Sequence, residues 1–341
     1  MGSINLTRET ALDFLTETVG YKAGLVLTTD KLAELLADYD EGLAARIADP
    51  SILGFRFHSS EVQDIVAYLL YKVGNIEDPS TTIGTIQLFH RVKDSPFDLA
   101  CYQHVMGCYT NFIDDVMKDP PPHGTALDPE KFMRASMDPF GQTGLDMAME
   151  VIKSVNHHLH ISPWGTIRSV DWVDAIELED LFKSEDLTTQ YGRFFDQRFI
   201  DYLEANFEQI GNIHWRKFEG LAAEYFDREG FVIDVGPGRN DDGIDLRVYP
   251  AEQDTSAPPL MIVQCKRQKD KIGKALIKSV YADVLHEKAE SGLIVTSSYL
   301  APGAEKMKTA RNYPVEMADR DSLREWVAKM KVERLSSPLG V

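Results

Sequence analysis

Polar and apolar positions alternate with the period of a strand from Ile244 to Val248: Ile244, Leu246 and Val248 fall on one side, Asp245 and Arg247 on the other. Ile262-Val-Gln264-Cys-Lys266 continues the pattern, with Gln264 and Lys266 on one face and Cys265 on the opposite one. Pro250, Pro258 and Pro259 interrupt the stretch between them, so the two strands are expected to form a hairpin whose register sets Asp245 opposite Gln264 and Lys266. Upstream, residues 213–226 carry the helical period, with Trp215, Ala222 and Phe226 on one apolar stripe. Glu219 falls on that stripe, while Glu224 and Asp227 are expected to point away from it. Downstream, a helix from about Ile272 would bury Ile272, Leu276, Val280 and Val284 and line one edge with Lys271, Lys274 and Lys278. Residues 292–297 read as a short apolar strand, parallel to the Gln264 strand because a helix crosses between them. A helix over 302–311, a strand over 313–317 and a helix over 321–331 complete an α/β core, and 336–341 read as a loose tail.

The first two hundred residues are predicted to be mainly helical, with helices over 29–47, 59–73 and 96–117 and breaks at 119–124, 139–143 and 162–165. From Tyr191 an aromatic stripe of Phe194, Phe195, Phe199, Tyr202, Leu203 and Phe207 predicts a further helix ending at Gly211-Asn212, read as packing between two domains. The expected organisation is a mainly α-helical domain over 1–190, a connecting helix over 191–210, an α/β module over 211–331 and a tail over 332–341.

The hairpin brings an acid, an amide and an amine to one point. A hard cation such as magnesium takes oxygen ligands, and Asp245, the Gln264 side-chain carbonyl and the Cys265 backbone carbonyl can supply them. Lys266 beside the ion can orient or help deprotonate an attacking water, or neutralise charge on a phosphate. A carboxylate on an apolar stripe is costly unless it meets a charge or a metal, which makes Glu219 a candidate outer ligand. Asp242 is a turn residue or an auxiliary ligand. Cys101, His104 and Cys108 could share a helix face as zinc ligands, but Met106, Tyr109 and Phe112 around them favour ordinary core. His157, His158 and His160 lack acids at ligand spacing and read as loop surface. Gly236-Pro-Gly238 lacks the lysine of a phosphate loop and reads as flexibility that brings Asp245 into place.

Composition narrows the class. Hydrophobic residues at 43% and charged residues at 26% suit an ordinary globular protein, and 341 residues suffice for two domains. The start lacks the pattern of a secretory signal, and three cysteines are too few for a disulfide framework, so a reducing cytoplasm is expected. The net charge of -18 suits nucleic acid badly until it is divided along the chain. Residues 1–210 hold 16 Lys and Arg against 34 Asp and Glu, whereas 211–341 hold 20 of each. Within the second part Lys266, Arg267, Lys269, Lys271, Lys274 and Lys278 crowd together, a basic edge suited to phosphate contact with salt-sensitive affinity. Arg239, in the loop before Asp245, is a further candidate for DNA contact.

Taken in order, Trp-Arg-Lys-Phe-Glu219, Gly-Arg-Asn-Asp-Asp-Gly-Ile-Asp245, Gln264-Cys-Lys266 and Gly292-Leu-Ile-Val-Thr-Ser297 resemble the Mrr-like restriction endonuclease domain of the PD-(D/E)xK nuclease superfamily, over roughly residues 211–331. The resemblance implies a small mixed sheet flanked by helices and DNA phosphodiester hydrolysis that depends on magnesium or manganese. It implies Glu219, Asp245, Gln264 and Lys266 as the catalytic set and a role in restriction or anti-phage defence. Gln264 stands where the superfamily usually has Glu, a replacement shared by the Mrr-like branch that removes one formal charge around the metal. The rival readings are a nuclease-fold binding module without catalysis and a nuclease that cuts RNA. The acidic first part is expected to meet a protein partner or trigger or to assemble protomers, with a dimer as the smallest form.

Overall fold

The computed structural model describes residues 2–122, 127–168, 172–238, 243–251 and 257–331. The chain divides into two compact units, one over Met1–Tyr71 and Ile76–Ala175, the other over Lys72–Asn75 and Ile176–Val332.

The first unit is mainly helical, as its periodicity predicts. Its helices span Arg8–Ala23, Thr29–Leu36, Glu41–Ala48, Ser59–Lys72, Gly84–Val92, Pro96–Lys118, Glu130–Met137 and Gln142–Ile161. Ser3–Thr7 pairs antiparallel with Gly54–His58. The single helix expected over 29–47 is two, because Asp40 stops the first and caps the second by accepting from the Leu43 amide at 2.9 Å. Cys101, Val105, Phe132, Val151 and Ile152 form a core. Cys101 is fully buried in it and Cys108 packs against it, with Cys108 Sγ 3.5 Å from His104 Nε2. His104 Nε2 also lies 3.0 Å from the Ala135 carbonyl, so these groups are spent on core and backbone. His157, His158 and His160 are not in a loop but in the last turns of the Gln142–Ile161 helix, and His160 is buried. No helix among the described residues is long and apolar enough to cross a membrane.

The second unit is a mixed five-stranded sheet flanked by helices. In chain order its main elements are α1 (Gln197–Ala205), α2 (Trp215–Arg228), β1 (Val232–Val235), β2 (Leu246–Tyr249), β3 (Met261–Lys266), α3 (Lys274–Glu287), β4 (Ser291–Thr296), α4 (Pro302–Arg311), β5 (Val315–Ala318) and α5 (Arg320–Met330). The strands lie side by side in that order. β1, β2 and β3 are antiparallel neighbours, β3, β4 and β5 parallel ones. The α3 face is closed by Ile262 and Ile294 from the sheet against Ile277, Val280 and Val284 from the helix. α2 packs on β1, β2 and β3, and α5 packs on β4 and β5 and against α1.

Two expectations about this unit need correction. Residues 191–196 are not helical, and α1 begins only at Gln197. The reason is Glu224, which lies off the apolar stripe yet is buried: its Oε2 accepts from the backbone amides of Arg193 (2.8 Å), Phe194 (2.8 Å) and Phe195 (3.3 Å). Its Oε1 takes Arg228 Nε at 2.8 Å. Those amides are thus satisfied by a carboxylate in place of a helical turn. The aromatic stripe is core inside this unit, with Phe195, Phe199, Tyr202 and Phe207 all buried.

Candidate active site

The site forms where α2, the start of β2 and the end of β3 converge. α2 starts at Trp215, with the His214 ring nitrogen accepting from the Arg216 amide at 3.2 Å. Arg216 and Glu219 sit one turn apart, and Arg216 Nη1 lies 2.7 Å from Glu219 Oε2. Glu219 is 5% exposed, so the apolar stripe does carry this carboxylate into the interior.

Asp245 reaches the same point by a route that simple alternation misses. β2 begins at Leu246, which pairs with Val263, and continued register would give Asp245 to Gln264. Instead the Asp245 amide donates to the Val263 carbonyl at 3.0 Å, and the Asp245 carbonyl accepts from the Gly236 amide at 2.8 Å. This one-residue offset has the effect of a bulge, re-aiming the side chain where the ladder ends. Ile244 consequently does not share a side with Leu246 and Val248: it packs with Ile262 on the α3 face. The Asp245 carboxylate turns along the sheet, where Oδ2 accepts from the Cys265 amide at 2.6 Å. Glu219 is a further neighbour, close enough for the two carboxyls to influence one another. Glu219 is pushed up to about 8, first by burial and then by the charge of Asp245, with Arg216 pulling the other way.

Gln264 is 7% exposed and its Oε1 has no hydrogen-bond partner among the described residues. Gly243 faces its amide nitrogen: with φ at 88°, a Cβ there would stand 2.7 Å from Gln264 Nε2. Only glycine meets both conditions. Lys266 shares the Gln264 face by alternation, is half-buried and forms no ion pair among the described residues.

The Lys266 carbonyl accepts from Thr296 Oγ1 at 2.8 Å and the Ser297 amide at 3.3 Å, so it faces β4. Backbone groups of adjacent residues face opposite neighbours in a strand, which turns the Cys265 amide and carbonyl toward Asp245. Burial, then the charges of Asp245 and Glu219, raise the Cys265 thiol, keeping it protonated; the oxygen this residue offers is its backbone one.

Sequence periodicity did not single out three contributors. Arg216 was read only as part of a motif. Gly243 stands in the motif only as one of its letters, and its contact with Gln264 explains it. Thr296, Ser297 and Ser298 are buried and clamp the chain after Lys266: Ser297 Oγ accepts from the Gln268 amide at 3.0 Å, and Ser298 Oγ donates to the Lys269 carbonyl at 3.0 Å. A run of hydroxyls ending an apolar strand was the available signal.

No three His, Cys, Asp or Glu side chains among the described residues come together to hold a metal ion. The donor set here is different in kind: two carboxylates, an amide oxygen without a partner and a backbone carbonyl. Those are hard oxygen donors.

The restriction endonuclease family model Mrr_cat matches residues 210–327. This region is an Mrr-like restriction endonuclease domain. The chain is also 22% identical over 117 residues to the uncharacterized protein y4cE of Sinorhizobium fredii (strain NBRC 101917 / NGR234), a match that covers 34% of this chain and 30% of that protein. Among solved structures it is similar, at a TM-score of 0.27 and 16% identity, to the MspJI restriction endonuclease in complex with a 27-mer oligonucleotide, covering 53% of this chain and 40% of that one. In the endonuclease domain Lys269, Lys271, Lys274 and Lys278 are all exposed. Arg267 is exposed too, but its Nη1 donates to the Ile213 carbonyl at 2.6 Å and ties the end of β3 to the segment before α2. Arg239 and Asp242 lie outside the described residues.

Proposed function

We propose that the protein is a divalent-cation-dependent endonuclease that hydrolyses DNA phosphodiester bonds. The observation that carries this reading is the buried Gln264 Oε1, without a partner among the described residues, next in the strand to the Cys265 amide that holds the Asp245 carboxylate, inside a restriction endonuclease domain. A buried amide oxygen left without a hydrogen bond costs about 1–3 kcal/mol, and a magnesium or manganese ion would satisfy it. Asp245, Gln264 Oε1 and the Cys265 carbonyl would hold the ion, with Glu219 behind Asp245. The ion supplies Lewis-acid polarisation of the phosphate and a more acidic attacking water. The residues do the rest. Asp245 is held in place by the Cys265 amide, Lys266 Nζ orients the water or takes its proton, and Lys269, Lys271, Lys274 and Lys278 bind flanking phosphates, with Arg267 and Arg239 as further contacts.

The test is incubation of the purified chain with labelled DNA and RNA, with magnesium or manganese and with chelator. Cleavage of DNA that chelator abolishes is the expected result. Cleavage of RNA alone would move the substrate, and binding without cleavage in either metal would leave a noncatalytic module. A role in restriction or anti-phage defence follows from the same reading. The first unit would meet a protein partner or trigger and help protomers assemble, because the whole negative excess of the chain lies in residues 1–210, where it opposes unguided contact with DNA. Cutting both strands calls for two sites, so the expected mass in solution by light scattering is that of a dimer. A monomer that remains so with DNA bound would remove that part.

A further inference from the structure

Arg216 is placed so that its charge has only one use. Its Nη1 lies 2.7 Å from Glu219 Oε2, and its side chain is 16% exposed. A Cβ on Gly238, whose φ is 81°, would stand 3.0 Å from Arg216 Nη1 and 3.0 Å from Trp215 Cη2. The Gly238 backbone therefore lies over the guanidinium and the indole, and only a glycine allows that approach at this φ. An arginine covered on one side and bonded to a carboxylate on the other is not a mobile clamp for a distant phosphate. It is a fixed positive charge inside the site.

That charge settles a question of stoichiometry left open by two adjacent carboxylates. Paired acids of this kind can hold two divalent ions about 3.5–4 Å apart. Here Glu219 already faces a guanidinium, and Gln264 adds an oxygen but no charge. Building on the cation-dependent reading above, we infer that Arg216 is a tethered substitute for a second metal ion: it occupies Glu219 Oε2, confines the site to a single divalent cation held at Asp245, and thereby fixes the endonuclease domain as a one-metal device. A second ion would have to displace a covered guanidinium first.

Manganese binding to the full chain, followed by electron paramagnetic resonance, tests this without reference to cleavage. The wild type should bind one ion per chain, lost in Asp245→Asn. Arg216→Gln should bind two, the second lost again in the double variant Arg216→Gln/Glu219→Gln. Arg216→Lys, which keeps the charge, should stay at one. Should Arg216→Gln fail to fold, Glu219→Gln in the otherwise native chain decides: it should still bind one ion, and loss of that ion would make Glu219 a direct ligand and overturn the inference. One ion in a folded Arg216→Gln would overturn it too, while leaving the cation-dependent reading intact. A wild type that binds no manganese through Asp245 removes both.

Discussion

Lys266→Ala is expected to lower magnesium-dependent DNA cleavage by roughly three orders of magnitude while leaving the fold as it is. The two halves of that expectation have separate causes. Lys266 is half-buried and forms no ion pair among the described residues, so removing its side chain strands no partner. Its backbone is the structural part: the carbonyl is held by Thr296 Oγ1 and the Ser297 amide, and alanine keeps both bonds. The ammonium is therefore available for chemistry. Lys266→Arg separates its two possible uses, because a guanidinium preserves charge but does not exchange a proton in this range. Partial recovery in the arginine variant assigns Lys266 to charge stabilisation, and none assigns it to proton transfer. Plasmid nicking measured beside a thermal melt reads both effects, and an alanine variant that cuts as fast as the wild type would remove Lys266 from the site.

Most of what places this lysine was legible in the chain itself. Alternation put Gln264 and Lys266 on one face, and helical spacing put Glu219 on a buried stripe; both are local periodicities, and both hold in the structure. The hairpin, the parallel pairing of β3 with β4 and the bounds of α4 follow from the same kind of signal. What escaped depended on contacts between distant segments. β1 is only four residues long and is defined by pairing with β2, so its own pattern is too short to announce it. The turn of Asp245 off the regular ladder depends on the Gly236 and Val263 backbones, which no spacing within the motif reveals. Helix position puts Glu224 off the apolar stripe, and nothing local shows that a loop about thirty residues earlier brings three amides to it. Arg216 was hidden in the same way: its role appears only once Gly238 is seen lying over it.

Asp245→Asn should be at least as damaging to cleavage as Lys266→Ala, yet it should make the metal-free protein more stable in alkali. Asparagine keeps an oxygen that can accept the Cys265 amide, so the local backbone is preserved. It removes the carboxylate proposed to hold the ion, while Glu219 stays bonded to Arg216. The stability effect runs through Glu219, whose pKa is pushed up to about 8 in the folded chain from an ordinary 4.5. A carboxyl raised on folding contributes stability that is complete below about 4.5 and is lost as pH rises through about 8. Burial is the larger cause and remains in the variant, but the negative charge of Asp245 is gone. The new amide can also donate to an ionised Glu219, which lowers its pKa further. At about pH 9 the variant should therefore melt higher than the wild type, by on the order of 5 °C, and near pH 5 the two should converge. Magnesium should raise the wild-type midpoint at about pH 9 and leave that of the variant unmoved. A variant that melts lower in alkali, or gains stability from magnesium as the wild type does, would show that Asp245 is not the charge that keeps Glu219 protonated or is not the ion's anchor.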